Sequence, residues 1–219
     1  MKKAGIGSAC VGLMLGGMLI LMACSTAWIG EAEKIVAALI PATANILALV
    51  GTLRGNIPTE ELQTVQNAGA QAGADLQSMQ SLIVQYEKAD AAAQPGLLSQ
   101  IQAALSAVQV SLNGILPAMH IKDAATEAKV TGVVGILLEE VQAMADIVPL
   151  ENAGAPSMMS VAAREVKKKT RRSANEFAGA YNAAMTAKTG NEELDRATAG
   201  LRIHAHGKIA RWASAGFLK

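Results

Sequence analysis

The sequence is poor in aromatic residues, and this shortage limits the folds it can adopt. Only 3% of its 219 residues are Phe, Trp or Tyr, while 51% are hydrophobic, so the apolar mass consists of Ala, Leu, Val, Ile and Met. These residues favour or tolerate helices. The signals of strands, which are aromatic enrichment and alternation of apolar and polar positions, are nearly absent. We therefore predict an all-α chain.

Motifs of catalysis and of cofactor binding are also missing. The sequence has no Gly-x-Ser-x-Gly elbow, no Walker loop and, outside residues 1–23, no dinucleotide fingerprint. No Glu stands three residues before a His, as the di-metal sites of helical bundles require. His204 and His206 would lie about 200° apart on a helix and could not share a metal. We expect no enzymatic activity, no metal site and no cofactor.

The first residues have the pattern of an export signal. Lys2 and Lys3 precede the apolar segment Ala4–Leu21, and Leu21-Met22-Ala23-Cys24 closes it. This pattern resembles the signal peptide and lipobox of bacterial lipoprotein precursors, over these two dozen residues only. In that family the Cys thiol receives a diacylglycerol, the chain is cut before the Cys, and the new amine is acylated, for example with palmitate. The resemblance implies a signal peptide over residues 1–23 and a lipidated Cys24.

The same resemblance implies a location. The protein would be exported and anchored by its lipid in the cell membrane or outer membrane, on the periplasmic or surface face. Two other interpretations stay open: an uncleaved anchor helix, because about 20 apolar residues can span a bilayer, and a cut by ordinary signal peptidase. Cys10 would leave with the signal, so Cys24 would be the one remaining cysteine and no disulfide would form.

Three later segments have the apolar spacing of a helix that buries one face. Steps of three and four residues, typical of coiled-coil seams, separate their apolar or small positions. We define the first seam as Leu62, Val65, Gly69, Ala72, Leu76, Met79, Ile83 and Tyr86, the second as Leu98, Ile101, Leu105, Val108, Leu112 and Ile115, and the third as Val130, Val134, Leu137, Val141, Met144 and Val148.

Turn signals divide the chain into helices and domains. A first helix is predicted over about 25–53, and breaks at 55–58, 94–96 and 116–117 separate it and the helices that follow. Such short connections predict an antiparallel helical bundle with heptad seams over 24–148. Pro149–Ser157 reads as a linker. Residues 158–219 read as a helical hairpin, with one helix over Met158–Lys188 and a second that Asn191 caps and that continues to about Gly216.

The two parts of the chain also differ in net charge. Residues 24–163 hold five Lys or Arg and thirteen Asp or Glu, a net of −8, whereas residues 164–219 hold twelve and five, a net of +7. The densest part, which we call the basic run, consists of Arg164, Lys167, Lys168, Lys169, Arg171 and Arg172.

The basic run has two interpretations. It is either a solvated helix surface that balances the acidic bundle, or a site for anionic partners such as lipid head groups or an envelope polymer. Sequence-specific nucleic-acid binding is not expected, because no aromatic residues are interleaved with the cations.

The sequence alone names no activity. The first interpretation is a membrane-tethered helical lipoprotein that serves as an interaction or structural module of the cell envelope, with membrane lipid as a partner through Cys24. The alternatives are a helical carrier of a small apolar ligand, held in a gap among Ala, Gly and Met side chains, and an uncleaved, N-terminally anchored membrane protein. Trp28 would lie at the membrane interface or in the core.

Overall fold

The computed structural model describes residues 27–54, 57–149 and 173–204, and in these ranges the regular structure is helical. The prediction of an all-α chain is confirmed for them. Cys24 and the basic run lie outside the described residues. The helices are α1 (Ala27–Thr52), α2 (Thr59–Lys88), α3 (Gln94–Asn113), α4 (Ala124–Ala145), α5 (Ala174–Thr186) and α6 (Glu192–Thr198).

The three predicted seams lie on the buried faces of α2, α3 and α4. Every one of their residues is buried, including Gly69 and the two residues, Ile115 and Val148, that follow the ends of α3 and α4. Steps of three and four keep a residue on the same face of a helix that turns every 3.6 residues. The spacing in the sequence therefore located the core side of these helices.

Helix α1 occupies the centre of the fold. It contacts α2, α4, α5 and α6, so its buried residues are not confined to one narrow face. Its segment Trp28–Thr52 is long and apolar enough to cross a membrane, with a mean hydropathy of 2.0, but half of that segment is buried inside the protein. By length and composition, α1 is compatible with a signal sequence, a membrane anchor or a core helix.

Two contacts show which parts of neighbouring helices lie close together. The ring of Trp28, at the start of α1, packs edge-on against Tyr86, near the end of α2, with 5.2 Å between ring centroids and 62° between the planes. The Gln102 amide in α3 donates a 2.6 Å hydrogen bond to the carbonyl of Pro149, just after α4. Both Trp28 and Tyr86 are buried, so of the two positions that the sequence left open for Trp28, the structure shows the core.

The break between α2 and α3 comes earlier than predicted. It falls at 89–93, where the Asp90 carboxylate accepts the backbone N–H groups of Ala92 and Ala93. The predicted break, residues 94–96, forms the first turn of α3 instead. Proline is tolerated there because the first turn of a helix has no internal partner for its N–H groups.

The predicted helix over Met158–Lys188 is wrong in its bounds. Helix α5 begins at Ala174, and the extended backbone of Ser173 (ψ 161°) interrupts any continuous helix at that point. Ser173 caps α5 by accepting the N–H of Glu176 at 3.3 Å, while the Glu176 carboxylate accepts the N–H of Ser173 at 2.6 Å. This reciprocal capping box satisfies two backbone donors, and α5 then ends at Thr186.

The predicted last helix starts correctly and ends too late. The Asn191 side chain accepts the Leu194 N–H at 3.1 Å and caps α6, as predicted. The helix stops at Thr198, however, rather than near Gly216. Beyond it, the Asn182 side chain bonds both the N–H and the carbonyl of Ile203 at 2.9 Å, which holds residues 201–204 against α5 in a non-helical conformation.

Candidate functional site

The most unusual group among the described residues is a buried lysine, Lys129, in the first half of α4. Its ammonium donates hydrogen bonds to the carbonyl of Ala187 at 3.0 Å and to the hydroxyl of Thr198 at 2.7 Å, and it lies 3.6 Å from Oδ1 of Asp195. The side chains of Lys129 and Asp195 are only 2% and 9% exposed. All three oxygen partners belong to the segment after α5, so Lys129 links α4 to that segment.

In this cluster, burial and the neighbouring charges have opposite effects on the pKa values of Lys129 and Asp195. Burial lowers the pKa of Lys129, and Asp195 offsets part of this effect. Burial also acts to raise the pKa of Asp195, but hydrogen bonds from the backbone and hydroxyl of Thr189, together with the charges of Lys129 and Lys188, lower it overall. A lysine ammonium has three donors and no acceptor. Because oxygens surround that of Lys129, the geometry supports a structural link rather than a free nucleophile.

An open groove of about 330 Å³ lies beside this cluster, between α4 and the end of α5. The residues that line it are mostly small and apolar, apart from two lysines and one threonine. The residues that form it are Ala125, Ala128, Lys129, Gly132, Ala184, Ala187, Lys188 and Thr189. Alanine and glycine are two of the residue types that the sequence led us to expect around a gap that carries a ligand. The groove is therefore the place where a small apolar ligand would be tested first.

Helix α5 is fixed to the central helix by its aromatic residues. Phe177 and Tyr181 are fully buried, and the Tyr181 hydroxyl donates a 3.2 Å hydrogen bond to the carbonyl of Ala42 in α1. Burial raises the pKa of Tyr181, so this phenol stays protonated and remains a donor. The described part of the C-terminal segment thus packs on α1 and α4.

A second polar contact joins the start of α2 to the loop after α3. The Glu61 carboxylate accepts the backbone N–H of His120 at 3.0 Å and lies 2.9 Å from Nδ1 of its ring. Asp123, three residues further along the chain, accepts the hydroxyl of Thr126 at 3.3 Å. The His120 side chain is largely exposed, so this is a surface contact.

None of the sequence-predicted site residues is among those that the structure describes. The structure gives no position for Cys24, Arg164, Lys167, Lys168, Lys169, Arg171 or Arg172, which lie outside the described residues. In the described ranges, no group of three or more His, Cys, Asp or Glu residues is arranged to hold a metal ion.

Sequence reasoning missed Lys129, although a signal was present. Lys129 stands three residues after Thr126 and four before Val133, and both of these residues are buried. A lysine at such a position on an apolar face predicts a buried ammonium with oxygen partners. What the sequence could not show is where the partners come from, since Asp195 and Thr198 lie far along the chain.

Comparisons of the chain with protein-family models, with curated proteins and with solved structures found no match.

Proposed function

We propose that the chain is an exported helical lipoprotein of the cell envelope, tethered through an acylated Cys24. In this proposal the helices form an antiparallel bundle that serves as an interaction or structural module. The basic run contacts anionic partners, either lipid head groups or an envelope polymer. No catalytic step is part of the proposal.

The observation that carries the proposal is where the folded core begins. Trp28 is already buried against Tyr86, only four residues after Cys24. Four residues of extended chain span at most about 14 Å. A lipid on Cys24 would therefore hold the start of α1 close to the membrane surface, with no long spacer between them.

Three contacts between helices support the antiparallel arrangement. Trp28 meets Tyr86 across α1 and α2, and Gln109 donates to Gln142 at 3.1 Å across α3 and α4. Trp28 is at the start of α1 and Tyr86 near the end of α2. Between α3 and α4 the order of the partners is reversed, since the earlier Gln102 bonds the later Pro149 while Gln109 bonds Gln142. The start of α1, the end of α2 and the end of α4 then lie at the end of the bundle nearest the lipid.

The basic run follows Pro149 in the sequence and ends immediately before Ser173. Because Pro149 lies at the end of the bundle nearest the lipid, the chain leaves toward the basic run from that end. Lysine and arginine near an anionic bilayer contribute about 1 kcal/mol each. One lipid signal plus a cluster of cations is a common basis for stable membrane attachment.

Intact-mass measurement of protein extracted from bacterial membranes tests the tether. We expect the mature chain to begin at Cys24 and to carry the mass of a diacylglycerol and an N-linked acyl chain. Cys24→Ala should abolish both the cut and the added mass, whereas Cys10→Ala should leave both unchanged. Processing of the Cys24→Ala protein at the same bond would contradict the proposal, and an uncut chain in the unaltered protein would favour the anchored alternative.

The open groove favours a second candidate function, the carrying of a small apolar ligand. Its volume of about 330 Å³ and its Ala and Gly lining suit a short hydrocarbon segment. Native mass spectrometry of the purified protein should then show a bound compound that organic solvent extracts. Gly132→Leu should displace it, while Gly135→Leu, one turn along α4 and outside the groove, should retain it. A ligand retained equally by both variants excludes this groove.

A further inference from the structure

An acidic residue, Glu140, is buried in the second half of α4, where it is 1% exposed. In the part of the chain that the structure describes, Lys129 and Glu140 are the two buried residues with charged side chains. Steps of four, three and four residues, through Val133 and Ile136, place Glu140 on the side of α4 that carries Lys129. Glutamate is almost never fully buried unless it is paired, because a carboxylate taken out of water needs a cation or donors beside it.

The described cations are poorly placed to accompany Glu140. Apart from Lys129, each Lys and Arg within residues 27–54, 57–149 and 173–204 is exposed. Lys129 stands eleven residues before Glu140, about 16 Å along a helix. Its ammonium is directed at oxygens of Ala187, Thr198 and Asp195. A cation buried beside Glu140 therefore comes from another part of the chain.

The packing of α5 brings its first residue close to Glu140. Ala187, just after α5, accepts the hydrogen bond of Lys129, in the first half of α4. Ala174, at the other end of α5, is buried as well, and α5 contacts α4, so α5 runs back along α4 toward its later residues. Ala174 stands thirteen residues before Ala187, about 20 Å along a helix, whereas Glu140 stands about 16 Å beyond Lys129. Glu140 and the start of α5 are then at nearly the same level.

We propose that Glu140 pairs with the end of the basic run, through the guanidinium of Arg171 or of Arg172. Both immediately precede Ser173, which caps α5, so at most roughly 7 Å of extended chain separates either from this cap. Arginine suits a buried pair, because its planar fork donates two parallel hydrogen bonds to a carboxylate and is more weakly hydrated than an ammonium. The opposite net charges of the two parts of the chain favour the same contact.

The pairing divides the basic run into two parts. Its end is engaged within the protein, whereas the cations before it remain available to an anionic partner, a division that rests on the proposed function. These available cations are Arg164, Lys167, Lys168 and Lys169.

Urea unfolding of the full chain near pH 7 tests the pairing. Glu140→Gln should lower the folding equilibrium constant by about tenfold or more, and so should Arg171→Gln or Arg172→Gln, because each leaves a buried charge without its partner. Combined with the arginine variant that lowers it, Glu140→Gln should lose about as much as either change alone, a coupling of about tenfold. Glu127→Gln, which alters an exposed carboxylate of α4, should show no coupling with either arginine. Losses that simply multiply for Glu140→Gln overturn the pairing.

Limited digestion with trypsin gives a second measurement, which needs no reversible unfolding. Trypsin cuts after lysine and arginine, and peptide masses identify each cut. In the full chain, cuts after Lys167, Lys168 and Lys169 should be several-fold faster than the cut after the paired arginine. Glu140→Gln should raise the rate at that arginine relative to the three lysines, and Glu127→Gln should not. An unchanged ratio in Glu140→Gln overturns the pairing.

The same digestion in lipid vesicles distinguishes the pairing from the proposed function. Anionic vesicles, compared with neutral ones, should slow the cuts after the three lysines and leave the cut after the paired arginine unchanged. Coupling without any slowing supports the pairing and overturns the anionic partner. Slowing without coupling overturns the pairing and leaves the anionic partner standing. Equal slowing at the lysines and at the paired arginine overturns the division of the basic run.

Discussion

Lys129 and Asp195 form a buried ion pair, 3.6 Å between Nζ and Oδ1, across the boundary between α4 and the C-terminal segment. Helix α6, which supplies Asp195, has only seven residues. A helix of that length is not stable by itself in water. Its position therefore depends on such contacts, of which the Lys129 cluster and the bonds between Asn182 and Ile203 are the clearest.

We expect Lys129→Ala to lower the free energy of unfolding by about 2 to 3 kcal/mol, because buried oxygens then lose a hydrogen-bonded positive partner. Urea unfolding measures the loss. Lys188→Ala, which removes an exposed lysine from the same groove, should cost much less. Hydrogen exchange should also rise at the amides of α6 in Lys129→Ala while α2 stays protected. Equal losses for the two variants would contradict the link that we infer.

The contact between Glu61 and His120 should make stability depend on acid pH. The backbone N–H of His120 lowers the pKa of Glu61 below its ordinary value of 4.5, and the His120 ring adds to this. A carboxyl whose pKa is lower in the folded state stabilises the fold above its ordinary pKa, and this stability is lost as the pH falls through the folded value.

Unfolding measured between about pH 6 and pH 3 should therefore show a weaker pH dependence in Glu61→Gln than in the parent chain. Glu60→Gln alters the preceding carboxylate, which is exposed, and serves as the control. If Glu60→Gln flattens the profile as much as Glu61→Gln does, the dependence is a property of net charge rather than of this contact.

The faces of α2, α3 and α4 were predictable because steps of three and four residues leave one side of a helix apolar. The buried residues of α2 are Leu62, Val65, Gly69, Ala72, Leu76, Met79, Ile83 and Tyr86, the same residues as the predicted first seam. The buried residues of α1 have the same spacing, since Trp28, Ala32, Ile35, Leu39, Ala42, Ile46 and Leu49 follow one another in steps of four and three residues. This face was harder to recognise in the sequence, because apolar residues such as Ile40, Leu47 and Ala48 also stand on the other side of the helix.

The C-terminal errors have local causes. The capping box of Ser173 and Glu176 is visible in the sequence as Ser-x-x-Glu, but the prediction of a helix from Met158 to Lys188 did not take it into account. The end of α6 was not visible, because the side chain of Asn182 bonds the backbone at Ile203 from another helix. Tertiary hydrogen bonds of this kind override a helical pattern. The partners of Lys129 were not visible in the sequence either, because they come from a distant part of the chain.

Two glycines of α2 should respond oppositely to alanine. Gly73 has open space where a Cβ would stand, so Gly73→Ala should stabilise the protein by about 0.5 to 1 kcal/mol through helix propensity. At Gly69 the added Cβ would stand 2.5 Å from Cδ2 of Leu47 in α1, so α1 and α2 must adjust. In thermal unfolding, the Gly69→Ala variant should have a clearly lower melting temperature than the Gly73→Ala variant. Equal stabilisation would mean that Leu47 moves aside freely.

The basic run should bind anionic membranes independently of the lipid anchor. A chain lacking residues 1–24 should be retained on vesicles with anionic head groups, released by rising salt, and not retained on neutral vesicles. Replacing Lys167, Lys168 and Lys169 with Gln should weaken retention by about 3 kcal/mol, or roughly a hundredfold, at low salt.

A matched variant distinguishes binding through the basic run from an effect of the net charge of the whole protein. Replacing the exposed Lys34, Lys88 and Lys122 with Gln removes the same number of positive charges, three, but from the acidic part of the chain. It should weaken retention far less, because electrostatic attraction falls off within about 10 Å at moderate salt. If both triple variants lose retention equally, net charge alone governs binding. If neither loses any, the basic run is a solvated surface and the anionic partner is excluded.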